Sequence, residues 1–175
     1  LKLINMLFPN IMLPYFCSEE MPDTNCEDDL IIIGGPDFNN VAKEFMEESK
    51  CPIQYTIIKN NKDAFIHNPS KTTFPLEQKK QIIQDYGLFA RFPNPFNRSK
   101  TCIIIGGLGT HGVLGTVKAF EDTPVGRKNV KKIINAVSEN PFFAIVIPVR
   151  VSRGHIRYPE VDLKTLCNYP WSQKR

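Results

Sequence analysis

The sequence predicts an α/β fold in three layers, with a mostly parallel sheet and an antiparallel inserted hairpin. Three observations carry this. An apolar, β-branched run ends in Gly-Gly twice, at Leu30-Ile31-Ile32-Ile33-Gly34-Gly35 and at Cys102-Ile103-Ile104-Ile105-Gly106-Gly107. Each run is too short for an ordinary helix and reads as a buried strand, followed by a turn and a helix. Strand and helix patterns then alternate along most of the chain, the arrangement that favours a parallel sheet. The polar middle section, Asn60 to Ile83, interrupts this order and reads as a hairpin around Asn68-Pro69-Ser70.

The elements follow in order. Residues 1–8 read as the end of a helix stopped by Pro9, and Ile11 to Phe16 as a first short strand. Ser18 to Asp29 is an acidic loop, and Leu30 to Ile33 the second strand. Asn39 or Asn40 caps a helix over Val41 to Ser49, whose Val41, Phe45 and Met46 share a face. Ile53 to Ile58 is a strand after Pro52. Tyr86 to Phe92 and Thr101 to Ile105 form an antiparallel pair, because two prolines in Pro93-Asn94-Pro95-Phe96-Asn97 demand a turn between them. His111 to Phe120 and Asn129 to Val137 are helices, and Phe142 to Val149 is a central strand. Ile156 to Leu163 reads as an edge strand, and Tyr169-Pro170-Trp171 as a tail that packs back.

The 175 residues, 42% hydrophobic and 23% charged, suit a single domain with a sizeable core. Residues 1–27 are a lead-in, 28–150 the core, and 151–175 an edge strand and tail. The Leu1 start suggests a piece of a longer protein. A net charge of +4 spread over small basic clusters suits an anionic ligand and argues against nucleic acid. The five cysteines are odd in number and form no C-x-x-C pair, which disfavours a metal knuckle and points to a reducing, cytoplasmic setting. Cys102, opening a strand, is expected to pack as a small hydrophobe. No apolar stretch reaches the roughly 18 residues of a membrane helix.

Two loops are the candidate site. In open α/β sheets ligands bind beyond the carboxyl ends of the strands. The first loop is Gly34-Gly35-Pro36-Asp37-Phe38-Asn39-Asn40, where a helix N-terminus would offer free N–H groups to an anion. A tight turn with an asparagine cap explains it equally. The second runs from Gly106 to Thr116 and holds Gly106, Gly107, Gly109, Thr110 and His111. Its glycines suit close approach of backbone to a ligand, or else of helix to strand. His111 is the ionisable group placed to bind phosphate or shuttle a proton. Asp37 is the carboxylate beside a binding loop, and these two are the catalytic candidates. Arg91 could fork a phosphate or carboxylate. Asp85 shares its strand face but lies about 20 Å away, so the two cannot pair. His67 and His155 need no special role. Neither a G-x-G-x-x-G nor a Walker pattern is present, and no metal-ligand spacing appears.

The runs Leu-Ile-Ile-Ile-Gly-Gly-Pro-Asp-Phe-Asn (30–39), Asp-Tyr-Gly-Leu-Phe-Ala-Arg-Phe-Pro-Asn-Pro-Phe (85–96) and Ile-Ile-Gly-Gly-Leu-Gly-Thr-His-Gly (104–112) resemble a widespread prokaryotic Rossmann-like domain. That domain is found as a module of regulatory or defence-type proteins, and the likeness spans roughly residues 28–150. Loops and likeness taken together point to a Rossmann-like domain that binds and senses a nucleotide-type or other anionic ligand, with Gly34, Gly35, Asn39, Arg91, Gly106, Gly107, Gly109, Thr110 and His111 as the expected contacts. It also implies an attached effector domain or a second copy as partner. A weaker likeness is to lysine-decarboxylase-like nucleotide-binding Rossmannoids, which carry P-G-G-x-G-T followed by Glu. Gly106 to Thr110 fits that motif, but Ile105 stands at the proline position and no Glu follows closely, so hydrolysis is not carried over. The alternatives are a nucleoside or NAD-type glycohydrolase using Asp37, and an interaction module with Phe92, Phe96 and Trp171 as an exposed aromatic patch.

Overall fold

The computed structural model describes residue 14, residues 16–137 and residues 140–171. The helix expected over 1–8 and most of the strand expected over 11–16 lie outside the described residues. The chain forms a mixed α/β fold. Its strands are β1 (Leu30–Ile33), β2 (Ile53–Ile58), β3 (Lys62–His67), β4 (Thr72–Pro75), β5 (Glu77–Gln78), β6 (Ile82–Pro93), β7 (Thr101–Gly107), β8 (Phe143–Ser152), β9 (His155–Ile156) and β10 (Cys167–Asn168). Its helices are α1 (Asn40–Glu48), α2 (Thr110–Ala119) and α3 (Pro124–Val137), with short 3-10 turns over Asp23–Glu27 and Leu163–Thr165.

The main sheet runs β1-β7-β6-β8-β10, with β5 beside β6 and β9 beside β8. Only β1 and β7 are parallel, in register Leu30 to Cys102 through Ile33 to Ile105. β6 is antiparallel to both β7 and β8. The expectation of a mostly parallel sheet is therefore corrected. Strands buried on both faces read as continuous apolar runs whatever their direction, and here the short turn over 94–100 folds β7 back against β6, while α2 and α3 lie between β7 and β8 and bring β8 to the other side of β6. The inserted hairpin is present: β3 and β4 pair antiparallel around residues 68–71, and β2 completes a separate three-stranded sheet.

Alternation along the strands builds two cores. Leu88, Ala90, Phe92, Ile104, Ala144 and Val146 face one way and pack with Phe45 and Met46 of α1 and Ile53 and Phe65 of the small sheet. Ile145, Ile147 and Val149 face the other way and pack with Ala119, Ile133 and Val137. Cys102 is buried in the first core as a small hydrophobe. α2 and α3 cover β6 and β8 but leave the outer face of β1 bare, with Ile31 54% and Ile33 59% exposed.

Helix ends follow capping rules. The Asn39 side chain accepts from Ala42 N at 3.0 Å and so caps α1. α3 starts five residues before the expected Asn129, because Thr123 Oγ1 accepts from Gly126 N and Pro124 supplies a preset φ at the first helical position. The edge strand expected over 156–163 shrinks to His155–Ile156. Pro159 cannot donate to a ladder, and Asn129 Nδ2 donates instead to the Pro159 carbonyl. The tail does pack back: Trp171 Nε1 donates to Ser49 O at 2.9 Å, and its ring meets Phe92 and Tyr169. No described helix is long and apolar enough to cross a membrane.

Candidate functional site

The two Gly-Gly loops meet at one end of the main sheet, beyond the carboxyl ends of β1 and β7 and beside the start of β6. Gly34 takes φ +133°, a conformation open to glycine, while its N–H donates to Ile105 O and extends the parallel ladder by one bond. The loop then lies directly on its neighbour. A Cβ on Gly35 would fall 2.2 Å from the Gly107 carbonyl oxygen, and one on Gly107 would fall 2.3 Å from Val113 N. The glycines of both loops are thus spent on backbone packed against backbone. Gly106 and Gly109 likewise sit near Gly34 O and the Asp85 carboxylate.

At both helix N-termini a side chain of the chain itself takes an N–H group. At α1 the Asn39 amide is used twice, accepting from Ala42 N and donating to Ile33 O at 3.2 Å. At α2 the cap residue is Gly109, which has no side chain to offer. The cap comes instead from β6. The fully buried Asp85 accepts from Gly112 N at 2.7 Å and from Tyr86 N at 2.7 Å. A carboxylate therefore stands where a ligand's anion was expected. Burial pushes the Asp85 carboxyl above its ordinary range, while the N–H groups of Tyr86, Gly112 and Gly109 and the charge of His111 pull it back.

What remains open is a pair of buried polar atoms. Asp37 Oδ1 and His111 Nδ1 are shielded from water and have no hydrogen-bond partner among the described residues. Native proteins rarely leave such atoms unmatched. The Asp37 carboxyl is raised, first by burial, although the N–H groups of its own residue and of Phe38 oppose this. The charges of Asp63 and Asp85 raise it further, so three carboxylates share this end of the molecule. Asp63, on β3, accepts a 2.6 Å bond from the Tyr55 hydroxyl on β2. Phe38, next to Asp37 in the same turn, leaves its ring 84% exposed.

The structure brings Gly34, Gly35, Asp37, Asn39, Gly106, Gly107, Gly109, Thr110 and His111 to this end. Thr110 lies exposed on the first turn of α2. Arg91 is elsewhere. It lies four residues beyond Gly87 on β6, roughly 13 Å along the strand, opposite Ile103 and Phe143. Its guanidinium lies over the Phe142 ring at 5.7 Å and its buried Nε has no partner. The aromatic patch does not form: Phe92 is fully buried, Phe96 packs edge-on against Phe45, and Trp171 is half-buried.

Sequence reasoning left three residues of this site out. Asp85 was legible in part, since a helix opened by glycine needs its cap from another element. Tyr55 and Asp63 come together only through the pairing of β2 with β3, which no local pattern encodes. Among the described residues no group of three or more His, Cys, Asp or Glu could hold a metal ion. No family model, curated protein or solved structure matches the chain.

Proposed function

We propose that the chain is a small-ligand-binding and sensing domain whose ligand sits at the rim formed by the β1–α1 and β7–α2 loops. One observation carries the reading: Asp37 Oδ1 and His111 Nδ1 are buried and unmatched at the same end of the sheet. A bound polar molecule would satisfy both at once. The loops around them are closely packed, since a Cβ on Gly35, Gly107 or Gly112 would meet neighbouring backbone. The likeness to a module of prokaryotic regulatory and defence proteins supports a role in which binding is relayed to an attached domain or second subunit.

The test is native mass spectrometry of the protein purified from cells, with a thermal-shift screen of small polar metabolites. A co-purified or stabilising molecule is expected. Its effect should disappear in the Asp37→Asn/His111→Ala double variant, while the unliganded melting temperature stays close to wild type. Equal responses from wild type and variant would remove these loops as the site.

A second reading is favoured by the raised carboxyls of Asp37 and Asp85, since perturbed acids collect at catalytic centres. In it the ligand is a substrate whose N-glycosidic bond is hydrolysed with Asp37 as general acid or base. Asp37→Asn should then abolish release of the free base, followed by chromatography, and leave affinity within a few-fold.

A further inference from the structure

We propose that the β5–β6 and β8–β9 hairpins form a nucleic-acid-binding surface, on which Lys79, Lys80, Arg150, Arg153 and Arg157 hold the phosphodiester backbone. This surface uses none of the residues of the two Gly-Gly loops, so it stands or falls apart from the ligand function above.

Strand pairing gathers the charge. Gln84 of β6 pairs with Glu77 of β5 on one side and with Arg150 of β8 on the other. The β8–β9 register continues from Val151 and Ile156 to Arg150 and Arg157, where Arg157 N donates to Arg150 O at 3.4 Å. Glu77, Gln84, Arg150 and Arg157 therefore form one row across four strands, about 14 Å wide. With Ser152 they line an open groove of about 420 Å³. Both hairpin turns leave the row in the same direction, so Lys79-Lys80-Gln81 and Arg153-Gly154 stand side by side beyond it. All five cations are exposed.

Three observations separate this surface from an ordinary solvated face. Residues 77–84 and 150–157 hold five Lys or Arg and one acid, a surplus of four. The net charge of the whole chain is also +4, so the rest of the molecule is balanced. Arg150 and Arg157 are direct cross-strand neighbours, where like charges oppose folding. Among the described residues none of the five has an ion-pair partner, whereas on α3 Arg127 is paired with Asp122, and Lys128 and Lys132 with Glu160.

A run of phosphates answers these features. Each guanidinium can fork a phosphate, and an anion between Arg150 and Arg157 turns their repulsion into attraction. Cations spread over about 14 Å suit a strand whose phosphates recur about every 3.4 Å, rather than one phosphate with donors converging on it. The turns carry no large apolar side chain to enter a bilayer, which favours nucleic acid over a lipid surface.

The experiment is fluorescence anisotropy of the full chain with labelled single- and double-stranded DNA and RNA, from about 50 to 300 mM salt, with tripolyphosphate and phosphatidylserine vesicles as competitors. At least one nucleic acid should bind, with a slope of log K against log salt of about −3 to −4. Arg150→Gln/Arg157→Gln should weaken binding about ten-fold, reduce the slope by about one to two, and leave the melting temperature unchanged or higher. Lys79→Gln/Lys80→Gln, on the neighbouring turn, should also weaken binding and reduce the slope. Arg127→Gln/Lys131→Gln on α3 removes the same charge elsewhere and should change affinity by less than about two-fold. No binding at about 50 mM salt would overturn the proposal, as would equal losses in the α3 variant. Displacement by tripolyphosphate as readily as by unlabelled nucleic acid, or tighter binding to the vesicles, would overturn it in favour of those ligands.

Discussion

His67 is held between a thiol and a hydroxyl. Its Nδ1 lies 2.6 Å from Ser70 Oγ and its Nε2 3.0 Å from Cys167 Sγ, while Ser70 Oγ donates to Thr72 Oγ1. One tautomer satisfies the chain of contacts: Cys167 donates to Nε2 and Nδ1–H donates to Ser70. Burial lowers the His67 pKa below 6.5 and pushes the Cys167 thiol up to about 11, so both are neutral near pH 7. The unfolded chain then binds the extra proton first. Stability is full above about pH 6.5 and is lost as pH falls from there toward the folded pKa. Melting temperatures followed from pH 7 to about 5 should show this slope in wild type and a flatter one in His67→Gln. Identical slopes would remove His67 as its source. The sequence offered His67 no role, because its partner Cys167 is 100 residues away. Asp37 and His111, by contrast, were readable as candidates from their loops alone, and each carries a buried unmatched atom.

At the scale of elements, α2 is seated by absence of side chains. A Cβ on Gly107 would overlap the backbone of Gly112 and Val113, and one on Gly115 would fall 2.4 Å from Val149 Cγ2. Gly107→Ala should lift the helix from β7 and cost about 3 kcal/mol or more in urea unfolding. Gly154→Ala is the contrast. Gly154 has φ +75° but nothing within 4 Å, so only backbone strain of about 1 kcal/mol is expected. Equal costs for the two would mean that α2 is not seated by Gly107. The overlap also means that a bulkier residue at position 107 perturbs the fold before it blocks any ligand. Strand and helix positions were largely legible: β1, β2 and the β6–β7 hairpin stand where their patterns put them. Strand direction was not. β6 and β8 are apolar on both faces because helices cover one side and α1 with the small sheet covers the other. That burial mimics the pattern of a parallel strand.

At the scale of the whole molecule, the sheet separates two cores, and long-range contacts tie the chain around them. Asn94 Nδ2 donates to Cys26 O and Asp28 O, fastening the lead-in to the turn after β6. Trp171, the single tryptophan, closes the far end over Phe92 and Ser49. Tryptophan fluorescence and far-UV circular dichroism should therefore report one coincident unfolding transition. A fluorescence change at lower denaturant would show the tail detaching as a separate unit. Mixed α/β class and a packed-back tail were legible in the sequence. The order of the sheet was not, because β7 sits between β1 and β6 and nothing local in those strands names their neighbours.

The contact between Trp171 and Ser49 spans 122 positions. During synthesis at about 5–20 residues per second, the first core would wait several seconds after α1 emerges before its last aromatic arrives. Until then the Ser49 carbonyl at the end of α1 lacks its Trp171 partner.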